Sequence, residues 1–251
     1  MGDGCALEMR AMHDRFMRHR PSGYERNAAV RCICTGVIRA YLCGKRKMPC
    51  GPRLTAESVS RFVTISAACA DSERWRTLPE ARLLAAGVFY VMLKMDNLLS
   101  DRPSDDWVNL CKWFEVQEEV EKLPTVGSVE VAILTHVDWN VCSPQTVNDW
   151  VRVLGRGASY FEHDASSNAL RVQLDAATLG RCHPASIALA AVMVSGYRVS
   201  SRVVKLAAVA TGTTPRLMWS AARRIARVNG QTRRGLRSEA REGDAISSSS
   251  E

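Results

Sequence analysis

Pro79-Glu-Ala-Arg-Leu-Leu-Ala-Ala-Gly-Val-Phe-Tyr-Val-Met-Leu-Lys94-Met95 is the stretch on which the fold turns. Pro79 has the backbone of a first helical turn, and Leu84, Val88, Val91 and Met95 follow at intervals of three or four. The remaining faces carry Ala81, Ala85, Ala86, Gly87 and Phe89, so this helix is apolar on every side. Such a helix belongs at the centre of a bundle. Further along, Val129-Glu130-Val-Ala-Ile-Leu-Thr-His-Val-Asp-Trp139 reads as a second greasy helix, with Glu130 in its first turn and Trp139 anchoring its end in the core. Lys94 and Glu130, opposite charges on otherwise apolar helices, fit a clamp for another protein better than a catalytic site.

Working outward, helical periods account for almost the whole chain. Val30, Ile33, Val37, Ile38 and Leu42 form one apolar stripe that stops in a turn region at Gly44 to Pro52. Thr55 to Ala70 forms another helix, with Val59, Phe62, Val63 and Ser66 on one side. Ser104 is the expected cap of the next, ahead of Asp105 and Asp106 in its first turn and Trp107, Leu110 and Cys111 on its buried face. Helices are expected at Val126 to Val137 and from Pro144 to Leu154, and Gly155 to Asn168 reads as a linker or loop. The pattern then restarts. Pro184-Ala-Ser-Ile-Ala-Leu-Ala-Ala echoes Pro79-Glu-Ala-Arg-Leu-Leu-Ala-Ala, and two further helical segments follow it, Ser200 to Thr211 and Pro215 to Val228. Beyond Gly230 the Gly, Arg and Ser composition predicts disorder. The expected architecture is all-α: two small helical lobes, each around one central apolar helix.

Composition narrows the class. With 251 residues, 46% of them hydrophobic, the chain can bury the core of one or two compact domains. Its nine cysteines are scattered and odd in number, as expected for reduced thiols of an intracellular protein. No CxxC pair exists and the five histidines are dispersed, so neither a metal nor a cofactor is expected. Cys32 and Cys34 are close in sequence but fall on different helix faces. Met1 to Phe16 lacks an apolar signal core, Ala6 stands where a myristoylation motif needs Ser or Thr, and Ile187 to Val194 is too short to span a bilayer. The expectation is a soluble protein of cytosol or nucleus with no membrane partner. A phosphate loop, paired carboxylates in a cleft-forming context and a plausible Cys-His pair are all missing, which argues against an enzyme. The formal charge of +8 concentrates near the C-terminus, in Arg216, Arg223, Arg224, Arg227, Arg233, Arg234, Arg237 and Arg241. A solvated helix face with a frayed tail explains them; attraction to nucleic acid or acidic proteins is the competing reading.

Ser60-Arg61-Phe62, the helix ending in Lys94, and the helix from Val129 to Trp139 together resemble the cyclin box, above all that of D-type cyclins. Val30-Arg31 fits the start of that family's first box helix, and the segment from Pro184 fits the central helix of a second cyclin fold. The resemblance covers roughly residues 24 to 229. It implies a helical or flexible N-terminal extension at 1–23, a cyclin box at 24–142, a second cyclin fold at 143–229 and a disordered Arg- and Ser-rich tail at 230–251. It also implies a non-catalytic subunit that forms a heterodimer with a cyclin-dependent kinase and activates it. Retinoblastoma-type substrates would be reached indirectly, through the kinase. Carried over, Lys94 and Glu130 contact main-chain groups around the kinase's regulatory helix, while Leu93 and Leu134 belong to the apolar surface that packs against it.

The chain departs from cyclins that recruit substrates. Their first box helix bears Met-Arg-x-Ile-Leu and then a tryptophan, whereas Val30, Arg31, Cys32, Ile33 and Cys34 stand here and Val37 replaces the tryptophan. The implied docking patch is therefore degraded. The Leu-x-Cys-x-Glu motif that grips the retinoblastoma pocket is missing, and no Thr-Pro or Ser-Pro site follows Gly230. These departures resemble the cyclins encoded by gammaherpesviruses, which drive host kinases in nucleus and cytoplasm. A divergent cellular cyclin is the alternative origin, and a cyclin-fold adaptor that binds nucleic acid is the alternative function.

Overall fold

The computed structural model describes residues 3–20, 23–44, 54–116, 124–141, 146–155, 161–174 and 182–227, and the regular elements among them are all helical. The fold class is all-α. The chain divides into two compact units, Ala11–Val37 with Lys47–Thr146, and Met1–Arg10 with Ile38–Arg46 and Val147–Glu251, each taken over its described residues. Helices α1 (Asp3–Arg18) and α2 (Ala28–Cys43) each contribute to both units.

The first unit is organised by α4 (Leu78–Met95), which packs against α3 (Ala56–Cys69), α5 (Pro103–Trp113), α6 (Val126–His136) and a 3-10 turn at Glu73–Trp75. Its start is well specified. Thr77 accepts a hydrogen bond from the Glu80 N–H while the Glu80 carboxylate accepts one from the Thr77 N–H, a reciprocal cap ahead of a proline. That N–H holds the Glu80 carboxyl below its usual value. The cap's electrostatic contribution is therefore present above the unfolded carboxyl value of 4.5 and is lost as pH falls below it. Ala81 and every residue from Leu84 to Leu93 are buried, as the all-round apolar pattern requires.

Gly87 lets α4 and α6 meet. A Cβ at that position would run into Val129 Cγ1 and, at 2.8 Å, Ile133 Cδ1, both on fully buried side chains. Gly87→Ala should therefore destabilise the protein by about 1–3 kcal/mol through overpacking, despite alanine's better helix propensity. Urea unfolding checks this, and Val129→Ala in the same chain should restore part of the loss. Stabilisation by Gly87→Ala would mean that the two helices are not in close contact.

The second unit centres on α9 (Pro184–Val194), which packs against α7 (Val147–Leu154) and α8 (Phe161–Gln173). Pro184 to Val192 is buried without a break, the counterpart of the all-round burial seen in α4. Helix α10 (Ser201–Ala210), capped by the Ser200 side chain, and α11 (residues 215–227) follow.

Several expectations need correction. Ser104 is not the cap of α5: the helix starts after Arg102 with Pro103 at its first position and no side-chain cap. Asp106 instead turns back to accept the Ser100 N–H at 2.7 Å. Much of the loop expected at Gly155 to Asn168 is α8, whose core-facing Ala165, Ala169, Leu170 and Val172 are interleaved with polar residues that dilute the period. Asn168, nearly buried, is satisfied by Ser195 and Arg171, each at 2.8 Å. The N-terminal extension, expected as helical or flexible, is helix α1 over Asp3–Arg18, and Cys5, Met9, Met12 and Phe16 make a buried stripe on it at helical spacing. The expected helix start at Pro144 and the disordered tail lie outside the described residues.

Five helices close in the same way. After α4, α5, α6, α9 and α10 the second residue past the helix takes a left-handed backbone, and the next N–H bonds back across the final turn. Gly196 and Gly212 hold that position after α9 and α10 without strain, while Asn97, Glu115 and Asp138 hold it in the first unit. The last case matters most. Asp138 and Trp139 are both left-handed, with φ of 51° and 59°, and the Trp139 N–H donates to the Leu134 carbonyl at 2.7 Å.

Candidate functional site on helices four and six

Lys94 sits in the last turn of α4, two helical turns beyond Gly87, and Glu130 follows Val129 on α6. Close approach of the two helices brings these side chains together, and Lys94 Nζ donates to Glu130 Oε1 at 2.8 Å. The lysine side chain is 56% exposed and the carboxylate 18%, so the pair lies at the rim of the helix interface. Glu130 does not occupy the expected first turn; α6 begins at Val126, and the residue stands one turn in. The N-terminal helix dipole is thus a poor explanation for it.

The hydrogen bond from Lys94 to Glu130, and then their mutual attraction, raise the lysine above its usual value against a small desolvation penalty. For a raised lysine the stabilisation is fully present below the unfolded value of 10.5 and is lost as pH rises through the higher folded value. The ammonium is therefore charged throughout the neutral range. A half-exposed pair of this kind contributes only about 0–1 kcal/mol to folding.

The side chains around the pair are unequal in access. Leu93 is buried and belongs to the core, so the expected contact role does not fit its placement; Leu134 is half-buried beside Glu130 and Val131. Val131 is 50% exposed and Trp139 64% exposed, which corrects the expectation of a core tryptophan. The reason is backbone geometry: two consecutive left-handed residues turn the chain outward, and Val137 takes the buried position. Neither Asp138 nor Trp139 advertises that conformation, which glycine normally signals. Along α6 and just beyond its end the surface thus combines the Glu130 carboxylate, paired with Lys94 of α4, and the apolar groups of Val131, Leu134 and Trp139. Such a strip can bury apolar area while the two charges satisfy polar groups of a partner.

Helix α2 places the degraded docking patch differently from the expectation. Val30, Cys34 and Val37 are buried at helical spacing, while Arg31 and Ile33 are half-buried. These five positions therefore do not form one exposed surface. Arg31 donates to the Glu25 carbonyl at 2.6 Å. Burial pushes the Cys34 thiol up to about 12, with a Tyr24 hydrogen bond pulling the other way. Cys32, by contrast, is exposed. An alkylating reagent at neutral pH should modify Cys32 and spare Cys34 in the native protein, as fragment mass spectrometry can show. Modification of both thiols at equal rates would mean that α2 is not packed as described.

Among the described residues no cluster of three or more His, Cys, Asp and Glu could hold a metal ion, and no helix is long and apolar enough to cross a membrane. Arg216, Arg223, Arg224 and Arg227 are exposed on α11, and the other C-terminal arginines lie outside the described residues. No known protein family, curated protein or solved structure matches this chain.

Proposed function

We propose that this chain is a non-catalytic regulatory subunit that binds and activates a cyclin-dependent kinase, built from two tandem cyclin-type lobes around α4 and α9. The observation that carries the reading is the Lys94–Glu130 pair, 2.8 Å apart at the rim of α4 and α6, beside the exposed apolar side of α6. The lysine is 56% exposed, so the pair contributes little to stability, and its two members are a donor and an acceptor of the kind that satisfies backbone groups of a docked helix. Opening it on binding costs little, because a surface ion pair is worth about 0–1 kcal/mol.

Activation follows from phosphoryl-transfer chemistry. A protein kinase needs an ion pair between a strand lysine and a glutamate on its mobile regulatory helix, so a partner that pins this helix inward assembles the catalytic site. Shifting such a switch from mostly off to mostly on takes about 5.5 kcal/mol of differential binding, within reach of a helical interface above roughly 2,000 Å². The altered docking positions on α2 favour a virus-encoded relative of D-type cyclins, of the gammaherpesvirus kind, acting on host kinases in nucleus and cytoplasm.

Mixing the purified protein with monomeric cell-cycle kinases and measuring histone or retinoblastoma-protein phosphorylation tests the proposal. Stimulation that is lost with Lys94→Ala or Glu130→Ala supports it. Absence of stimulation across the kinases, or stimulation indifferent to both substitutions, overturns it. The exposed arginines of α11 favour one second reading, a cyclin-fold adaptor on nucleic acid. Tight, salt-steep binding of duplex DNA that survives Lys94→Ala would select that reading.

A further inference from the structure

Between the start of α9 and α11 the second unit holds an open cleft of about 370 Å³, lined by Ser186, Thr213, Ser220 and Arg224 among others, with no carboxylate among the described residues of its wall. Ser186 is the third residue of α9 and only 7% exposed, yet its hydroxyl has no hydrogen-bond partner among the described residues. That hydroxyl is not closed off from solvent, so it stands in the wall of the cleft where a ligand can reach it. The Arg224 guanidinium, exposed on α11, is likewise unpaired among the described residues. The backbone itself is already committed: His183 Nδ1 accepts the Ala185 N–H at 3.1 Å, and the Ser186 N–H bonds to the His183 carbonyl at 2.9 Å. Ligand contacts must therefore come from side chains, in the favourable field of the α9 N-terminus.

We infer that this cleft binds a phosphate monoester. A guanidinium and the hydroxyls of Ser186, Thr213 and Ser220, all in the wall of one cleft, can serve the three terminal oxygens of a monoester dianion, and the positive end of α9 favours its charge. A phosphodiester offers only two such oxygens. Arg216, Arg223 and Arg227 do not line it. The same chemistry can arrive on a phosphoserine peptide or as free phosphate. This inference does not depend on the kinase-regulator reading.

Titration calorimetry on the full chain tests it, with a short phosphoserine peptide, its unphosphorylated twin, inorganic phosphate and a DNA duplex as probes. Saturable binding of the phosphopeptide or of inorganic phosphate is expected, with no binding of the unphosphorylated twin. Arg224→Ala should weaken binding on the order of tenfold or more, Ser186→Ala a few-fold, and Arg216→Ala hardly at all. Circular dichroism and thermal unfolding of each variant separate a lost site from a lost fold; Arg224 is exposed, so its variant should fold normally. A phosphopeptide that binds more tightly than phosphate identifies a docked phosphoprotein, and equal affinities identify the free anion; both support the site. Absence of saturable binding by either overturns it. So would equal losses in Arg216→Ala and Arg224→Ala, or DNA binding that outcompetes the monoesters and ignores Ser186→Ala.

Discussion

Exchanging the two charges, Lys94→Glu together with Glu130→Lys, should leave folding stability nearly unchanged while weakening kinase binding by about 2–5 kcal/mol. The expected asymmetry follows from where the pair sits. Within the chain the exchange keeps one cation facing one anion at the same rim, and an exposed pair is worth little to folding in either orientation. For a docked helix the same exchange puts a carboxylate where a carbonyl needs a donor and an ammonium where an N–H needs an acceptor. Those groups are desolvated on binding, so each mismatch leaves a polar group unsatisfied. Calorimetry or competition binding against a kinase, paired with urea unfolding of the free protein, reads both halves. If the exchanged protein still binds as wild type does, the pair is ornamental and the α6 face is not the contact. If it loses binding and stability together, the pair is structural and the proposed role fails.

How legible this site was in the sequence depends on the residue. Lys94 and Glu130 stood out because a charge on an apolar helix is anomalous, and close helix packing through Gly87 does bring them together. Trp139 was misplaced because a large aromatic at a helix end normally fills the core, and nothing in Asp138-Trp139 announces two left-handed residues. Leu93 and Leu134 are equivalent in a sequence, but burial separates them, since only the packing partners of α4 decide which face is left over. The docking positions of α2 failed for a related reason. Val30, Cys34 and Val37 read equally well as a surface patch or as a core stripe, and the buried stripe is what the fold uses.

The fold itself shows the same division. All-round apolarity made α4 and α9 readable as central helices, because no amphipathic position on the surface would tolerate them. By contrast α1 and α8 bury narrow stripes among many charged or polar residues, and a local pattern cannot tell such a helix from a solvated loop. The cleft holding Ser186 and Arg224 left no sequence signal at all. Its residues come from segments far apart in the chain, and their convergence exists only in three dimensions.

Phe89→Ala should destabilise the protein by about 3–5 kcal/mol. Phe89 is fully buried, and its ring lies 5.2 Å from Phe62, 5.6 Å from Phe114 and 6.2 Å from Trp113. Phe62 and Phe114 also stack on each other at 6.1 Å, so the cluster shares its contacts among α3, α4 and the end of α5. Removing the central ring leaves a cavity that three rigid neighbours cannot easily fill, and tilted aromatic pairs add about 0.5–1.5 kcal/mol each beyond their buried area. Against a total folding stability of roughly 5–15 kcal/mol, the remaining margin would be small. Urea unfolding at neutral pH measures the loss, and Phe89→Leu, which keeps most of the volume, should recover more than half of it. The contrast with Trp139→Ala is informative. That tryptophan is 64% exposed, so its removal should barely move the unfolding midpoint even though its side chain is larger. A loss below about 1.5 kcal/mol for Phe89→Ala would show that the aromatic cluster is loose and that α4 is not the centre around which the unit is built.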